Sequence, residues 1–453
     1  MVSSFFVDSL VFSVRKYIYN EVTKMKYALT NMYLLDGTKD MKIKEGKAVL
    51  VEDGVILDIV DSSAIPSGYE IKDLNGGYLM PGLINLHVHI PGSGKPANPS
   101  SNKNAMLVKL LKFGIVRFVV GKMCASYARQ QLLSGTTTIR AVGGVEDLDS
   151  KLRDKINSGK VVGPRILAAN YAVSVPGGHM TGTVAKPAHS SEEAAAMVRD
   201  LVKTNPDLIK LMITGGVLDA KVPGEPGDLK MPPEYVKAAC DEAHKNGLKV
   251  AAHVEGSEGL KVALENGVDT IEHGGKPSPE VIELFKQKGA ALVATISPAV
   301  PFQVLTEPAY GVDEVGLING KALYANMLEC IKECLANDIP VGLGTDTGCP
   351  FTTHYDTWRE LYYFSKCCNL SKEFAIYTAT LRNAEIVGID KFTGSLEKGK
   401  YADFVVVKDN PLKDFKTLRT PVMVALKGKI IENPKPKRIP EVDEALDKMY
   451  ELM

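Results

Sequence analysis

The chain has 453 residues, 45% hydrophobic and 24% charged, which excludes a disordered or collagen-like polymer. Fifty-four basic residues balance 54 acidic ones, so no global field advertises a nucleic-acid partner, and no apolar run reaches the ~18 residues of a transmembrane span. Seven cysteines without a C-x-x-C pair make no disulfide framework, so a reduced, cytoplasmic setting is expected.

Residues 1–24 lack a basic opening, carry Asp8 inside their apolar part and offer no small-residue cleavage site, which argues against a secretory signal. Residues 1–25 read as an N-terminal tail, with Met25 as the expected natural start. From 26 to 80 the text is short alternating strands broken by turn dipeptides (YALTNMYLLDGT, KAVLVEDGVILDIV, YEIKDLNGGYLM), the first part of a small β domain. Over 81–390, β-like runs alternate with helical-period stretches such as SEEAAAMVRDLVKT, PEYVKAACDEAHKNG and SPEVIELFKQKG.

Eight such runs occur: GLINLHVHI, GTTTIRAVGG, PRILAANYAVS, LIKLMITGG, KVAAHVEG, TIEHGG, ALVATISP and PVGLGTDTG. This α/β pattern predicts a closed (β/α)8 TIM-type barrel, with an open doubly wound sheet as the competing topology. Strands return over 391–435 and complete a composite β-sandwich formed by N- and C-terminal segments. Residues 436–453 read as a C-terminal tail.

Of the eight histidines in the chain, His87 and His89 share one strand-like run. Alternation turns i and i+2 to one face, which in a barrel is the interior near the strand's carboxyl end. His253, His273 and Asp346 lie towards the ends of later runs. Singly each is explained as a packed or capping residue; together, four imidazoles and a carboxylate make a coordination shell for a divalent ion, with Zn2+ the first choice. Lys210 (DLIKLMITGG) would be repelled by a cation unless burial removed its proton. Its neutral amine could then take up CO2 as a bridging carbamate; a salt-bridged lysine is the alternative.

PGLINLHVH, the IKLMITGG, AAHVEG, IEHG and GTDTG runs, and the tail TATLRNAEIVGIDKFTGSLEKGKYADFVVVKDNPL together resemble the amidohydrolase superfamily over residues 26–435. The H-M-T-G segment, the lysine in IKLMITGGV and the histidine after the eighth run are similar to its prolidase (Xaa-Pro dipeptidase) and imidazolonepropionase-related branch. The resemblance implies that His87, His89 and Asp346 hold one metal, that His253 and His273 hold the other, and that carboxylated Lys210 bridges them. Two ions ~3.5–4 Å apart would then turn a bridging water into a hydroxide nucleophile and polarise a carbonyl, with Asp346 as proton shuttle. It also implies hydrolysis of an amide bond in a small carboxylate-bearing substrate, a dipeptide or N-acyl amino acid. A cyclic-amide hydrolase is the nearer alternative and a non-catalytic metal-binding scaffold the farther one.

Arg140 and His179 are candidates to face the substrate carboxylate, although Arg140 also fits a structural ion pair, and Ala141 stands where relatives place Asp. His354 is a further substrate-binding candidate. From Gly92 to Ser134 there are seven cations and no acid. This segment reads as a solvated helix or subunit contact of a homo-oligomer, or alternatively as a lid, funnel or membrane-surface helix.

Overall fold

A computed structural model describes residues 25–96, 103–306 and 312–453. Of the expected tail over 1–25, residues 1–24 lie outside the described residues. Strands β1 (Lys26–Leu34), β2 (Lys47–Glu52), β3 (Val55–Asp61) and β4 (Glu70–Pro81) open the chain. The barrel strands follow: β5 (Leu83–Val88), β6 (Thr136–Ala141), β7 (Arg165–Ala168), β8 (Ala172–Ser174), β9 (Ala185–Pro187), β10 (Leu208–Met212), β11 (Lys249–Val254), β12 (Thr270–His273), β13 (Ala291–Ala294) and β14 (Val341–Leu343). The chain closes with β15 (Phe404–Val407), β16 (Met423–Leu426) and β17 (Lys429–Glu432).

All eight predicted runs carry parallel strands, in the orders β5-β6-β7 and β14-β13-β12-β11-β10-β8-β9. The wall is a (β/α)8 barrel. One seam between the two sheets is bridged where Val88 pairs with Thr347, beside β14, and the other where Asp207 N–H donates to the Ala168 carbonyl at 2.8 Å. The run expected as one third strand is split into β7 and β8. Asn170, at φ +64°, turns the chain between them; asparagine tolerates this left-handed conformation better than most residues.

Helices follow their sequence signals. Ser190 accepts from Glu193 N–H to start Ser191–Val202, and Ser278 accepts from Val281 N–H ahead of Pro279–Lys288, which ends on Gly289 at φ +64°. Serine caps the exposed amides, and glycine accepts the left-handed stop without a Cβ clash.

The N- and C-terminal strands share one sheet in the order β17-β16-β15-β4-β1-β2-β3. Its edge strand β3 folds back onto the segment leading into β15, where Val55 bridges Tyr401, so the sheet curls into the composite sandwich around Leu29, Leu34, Val49, Ile56, Phe404 and Val406. A register shift between Thr30 and Met32 keeps Tyr27 and Leu29 on the same inner face as Met32 and Leu34, because one extra residue reverses strand alternation.

Residues 436–453 are more than a tail. They contain the helix Pro440–Leu452, whose Val442, Leu446 and Met449 are buried in the main core. The four- and three-residue spacing of these apolar groups forms a helical stripe that demands a partner, and Arg359 pairs with Asp447 across the contact. The basic segment supplies helices Lys103–Leu110 and Gly114–Leu133. The latter buries Val120, Cys124, Ala128 and Leu132, while Phe113, Ile115, Phe118 and Val119 are exposed beside it. No helix among the described residues is long and apolar enough to cross a membrane. All seven cysteines are free thiols.

Candidate metal centre

The barrel mouth collects side chains from five strands. His87 and His89 project from β5 to the same side, as strand alternation requires. The His87 Nδ1–H donates to Glu272 at 2.8 Å and the His89 Nδ1–H to the Gly143 carbonyl at 2.8 Å. These bonds fix one tautomer in each ring and leave both Nε2 lone pairs available. The two Nε2 atoms lie 3.5 and 3.2 Å from Asp346 Oδ1. Asp346 follows β14 with φ +58°, and this left-handed turn directs the carboxylate back across the barrel.

His253 is the penultimate residue of β11 and His273 ends β12. Their ring centroids are 4.7 Å apart, and His273 is 4.7 Å from His87. His273 Nδ1 lies 2.7 Å from Thr295 Oγ1. Two groups of donors emerge among the described residues: His87, His89 and Asp346; and His253, Glu255 and His273. Within each, the ligand atoms lie within 4.8 Å of one another.

Lys210 on β10 is fully buried, and its charge acts on His87, His253 and His273 alike. Burial lowers the lysine to about 8, against the opposing pull of Glu272. Burial also lowers His87 to about 4 and holds His253 and His273 well below the usual imidazole range. Asp346 goes the other way. Burial would raise it, but His87 and His89 hold the carboxyl well below its ordinary range. The site therefore favours neutral His87, His253 and His273 beside an ionised Asp346, the protonation states that metal ligands need.

His87 Nε2, Lys210 Nζ, Glu255 Oε2 and Asp346 Oδ1 are buried without a hydrogen-bond partner. Unpaired polar atoms concentrated in this way call for a common partner. Imidazole nitrogens and carboxylate oxygens suit a divalent cation, so the residues present fit a metal centre.

The structure brings His87, His89, Lys210, His253, His273 and Asp346 together. His179 joins them at the rim: its ring stacks on His253 with centroids 4.1 Å apart, and its Nδ1 is 2.5 Å from Asp219 Oδ2. Arg140 is placed differently. It is buried, donates to the Leu86 carbonyl and Thr270, and grips both oxygens of Glu272 at 2.7 and 2.8 Å. It thus forms an ion pair beneath the site instead of facing a substrate carboxylate. His354 is also set back; it donates through Nε2 to the Gly92 carbonyl at 2.7 Å and stacks on Tyr127. Tyr235 lies on the helix Pro233–Lys245 and donates to the His189 carbonyl.

Two participants escaped the sequence reading. Glu272 links Arg140 to His87, and burial against that guanidinium and imidazole leaves it at about 2, the attraction exceeding the desolvation cost. Glu255 sits two residues after His253, and burial pushes its carboxyl up to about 8. The i, i+2 spacing that drew attention to His87 and His89 is the signal that could have found Glu255.

The model of the amidohydrolase family matches residues 78–431. An ochratoxinase of Aspergillus niger is 26% identical over 430 residues, covering 85% of this chain and 83% of the relative. Among solved structures, a Bifidobacterium longum chain provisionally named a prolidase is 33% identical with a TM-score of 0.82, covering 94% of this chain and 99% of the other. A Xaa-Pro dipeptidase with methionine bound in its active site is 28% identical with a TM-score of 0.78, covering 90% and 100%. The pattern that spans these relatives runs through both the barrel and the strands that cradle it, and the chain belongs to the amidohydrolase family of hydrolases acting on carbon–nitrogen bonds.

Proposed function

We propose that the chain hydrolyses the amide bond of a small carboxylate-bearing substrate at a paired divalent-metal centre, with zinc as the metal. A dipeptide with C-terminal proline is the first candidate and an N-acyl amino acid the second. The observation that carries this reading is the convergence of two donor groups, each with two imidazoles and a carboxylate, around the buried unpaired amine of Lys210. His87, His89 and Asp346 would hold one ion, and His253 with His273 the other. Lys210, as a carbamate, would serve both; its lowered basicity supplies the neutral amine that CO2 uptake needs. Bound ions of this kind acidify solvent and polarise a carbonyl.

The remaining tasks fall to the protein. Asp346, ionised and facing His87 and His89, accepts the proton released by attacking solvent and delivers it to the leaving nitrogen. Glu272 and the Gly143 carbonyl orient the imidazoles. His179, held by Asp219 beside His253, is positioned to receive the substrate carboxylate.

A cyclic-amide substrate is the second reading. It is favoured by a Picrophilus torridus imidazolonepropionase, which is 20% identical over 403 residues and covers 84% of this chain and 90% of the relative. Metal-reconstituted protein offered dipeptides, N-acyl amino acids and cyclic amides separates the two. Release of free amino acid from linear substrates is expected; turnover confined to ring compounds, or none, overturns the first reading.

A further inference from the structure

Glu255 has no task in the ligand assignment above, yet its surroundings are those of a working group. It follows β11 directly and stands two residues beyond His253, the spacing that aims His87 and His89 at one point. Its backbone N–H donates to Thr214 Oγ1 at 3.1 Å, which fixes the chain at this turn. The loop after β10 packs on the same spot. A Cβ at Gly227 would come within 2.5 Å of the Glu255 carbonyl carbon and 2.7 Å of its Cβ, so glycine there lets the loop close over Glu255. The residue is consequently buried at 7% exposure, with Oε2 unpartnered and Oε1 3.9 Å from His253 Nε2.

The charges give the same answer. Glu272 is matched by Arg140, and the single cation Lys210 faces both Asp346 and Glu255. Among the described residues, Asp346 and Glu255 have only histidines within ion-pair distance, and imidazoles grouped with a carboxylate are the donors a divalent ion takes. With His253 and His273 within 4.8 Å, Glu255 completes a two-imidazole, one-carboxylate set. Such a set holds zinc while leaving a fourth position open.

We propose that Glu255 is a direct protein ligand of the second divalent ion, so that each ion of the pair has its own carboxylate: Asp346 on the β5 side and Glu255 on the β11 side. This rests on the paired-metal reading above and extends it. In consequence, the second ion has three protein donors irrespective of the state of Lys210.

The test counts metal. Apoprotein, Glu255→Gln and Glu255→Ala are each titrated with Zn2+ in excess bicarbonate, freed of unbound metal, and assayed by mass spectrometry. Wild type should bind two ions. Both variants should bind one tightly, with affinity for the second reduced at least about 100-fold, beyond the usual effect of losing a group that only supports a ligand. Two ions at unchanged affinity in the variants overturns the role of Glu255 while the paired centre stands. Fewer than two in wild type overturns both. A second measurement needs no variant: in zinc-loaded wild-type crystals the Glu255 carboxylate should lie about 2.0–2.2 Å from an ion. An ion out of its reach rejects the assignment.

Discussion

Inside the β domain, the buried cluster around Leu29, Val49, Ile56, Phe404 and Val406 is apolar, and the hydroxyl of Tyr27 on its edge is satisfied by the Gly428 carbonyl. At the barrel mouth, by contrast, His87, Lys210 and Glu272 are fully buried beside nearly buried His253, His273 and Asp346. Removing apolar surface from water stabilises the first interior directly. Burying charge and orphaned polar atoms costs the second one stability unless something compensates. Apolar interiors such as this one and the larger core around the barrel therefore supply the stability that lets the barrel mouth maintain an arrangement unfavourable on its own.

The sharpest way to break this contrast is Asp346→Asn. It should lower kcat by about 10^2- to 10^4-fold while leaving the unfolding midpoint near that of wild type. Near-normal kcat with metal still bound would remove Asp346 as the proton carrier. Glu272→Gln probes the join between the two kinds of interior. It leaves the buried Arg140 guanidinium without its anion, at a cost of about 3–5 kcal/mol, and loosens the His87 ring, lowering metal affinity about 10- to 100-fold. Unfolding curves together with zinc titration read both effects, and unchanged affinity would make the Arg140–Glu272–His87 chain purely structural. The smallest change to the site comes from Leu29→Ala. It should destabilise the fold by about 2–5 kcal/mol with kcat per folded molecule and metal content unchanged; a loss of bound metal in the folded variant would show that the two interiors are not separable.

Periodicity made most of this architecture readable. The eight β-like runs became barrel strands, and His87 with His89 were visible as a pair because a strand places alternate residues together. Glu272 was hidden by the same rule. It is adjacent to His273, and alternation assigns neighbours to opposite faces. His273 has φ +69°, so the chain leaves extended geometry there and both side chains reach the centre. Departures of this kind concentrate at functional positions, where surrounding structure holds a strained backbone in place. Arg140 was ambiguous for another reason: its partner Glu272 lies 132 residues away, and spacing along the chain carries no information about such a meeting. The helix Pro440–Leu452 shows the opposite case, since its apolar stripe was present in the sequence but its docking surface was not.

The seam where Val88 meets Thr347 sets the order of events during synthesis. His87 and His89 leave the ribosome early, but Asp346 emerges only after every intervening strand. Until then the first trio is one ligand short, and its two imidazoles wait in an unclosed wall. On the proposed assignment, complete metal capture at this trio would be a late step of biogenesis, and a nascent chain halted before β14 would present histidines to the cell without the carboxylate proposed to complete their site.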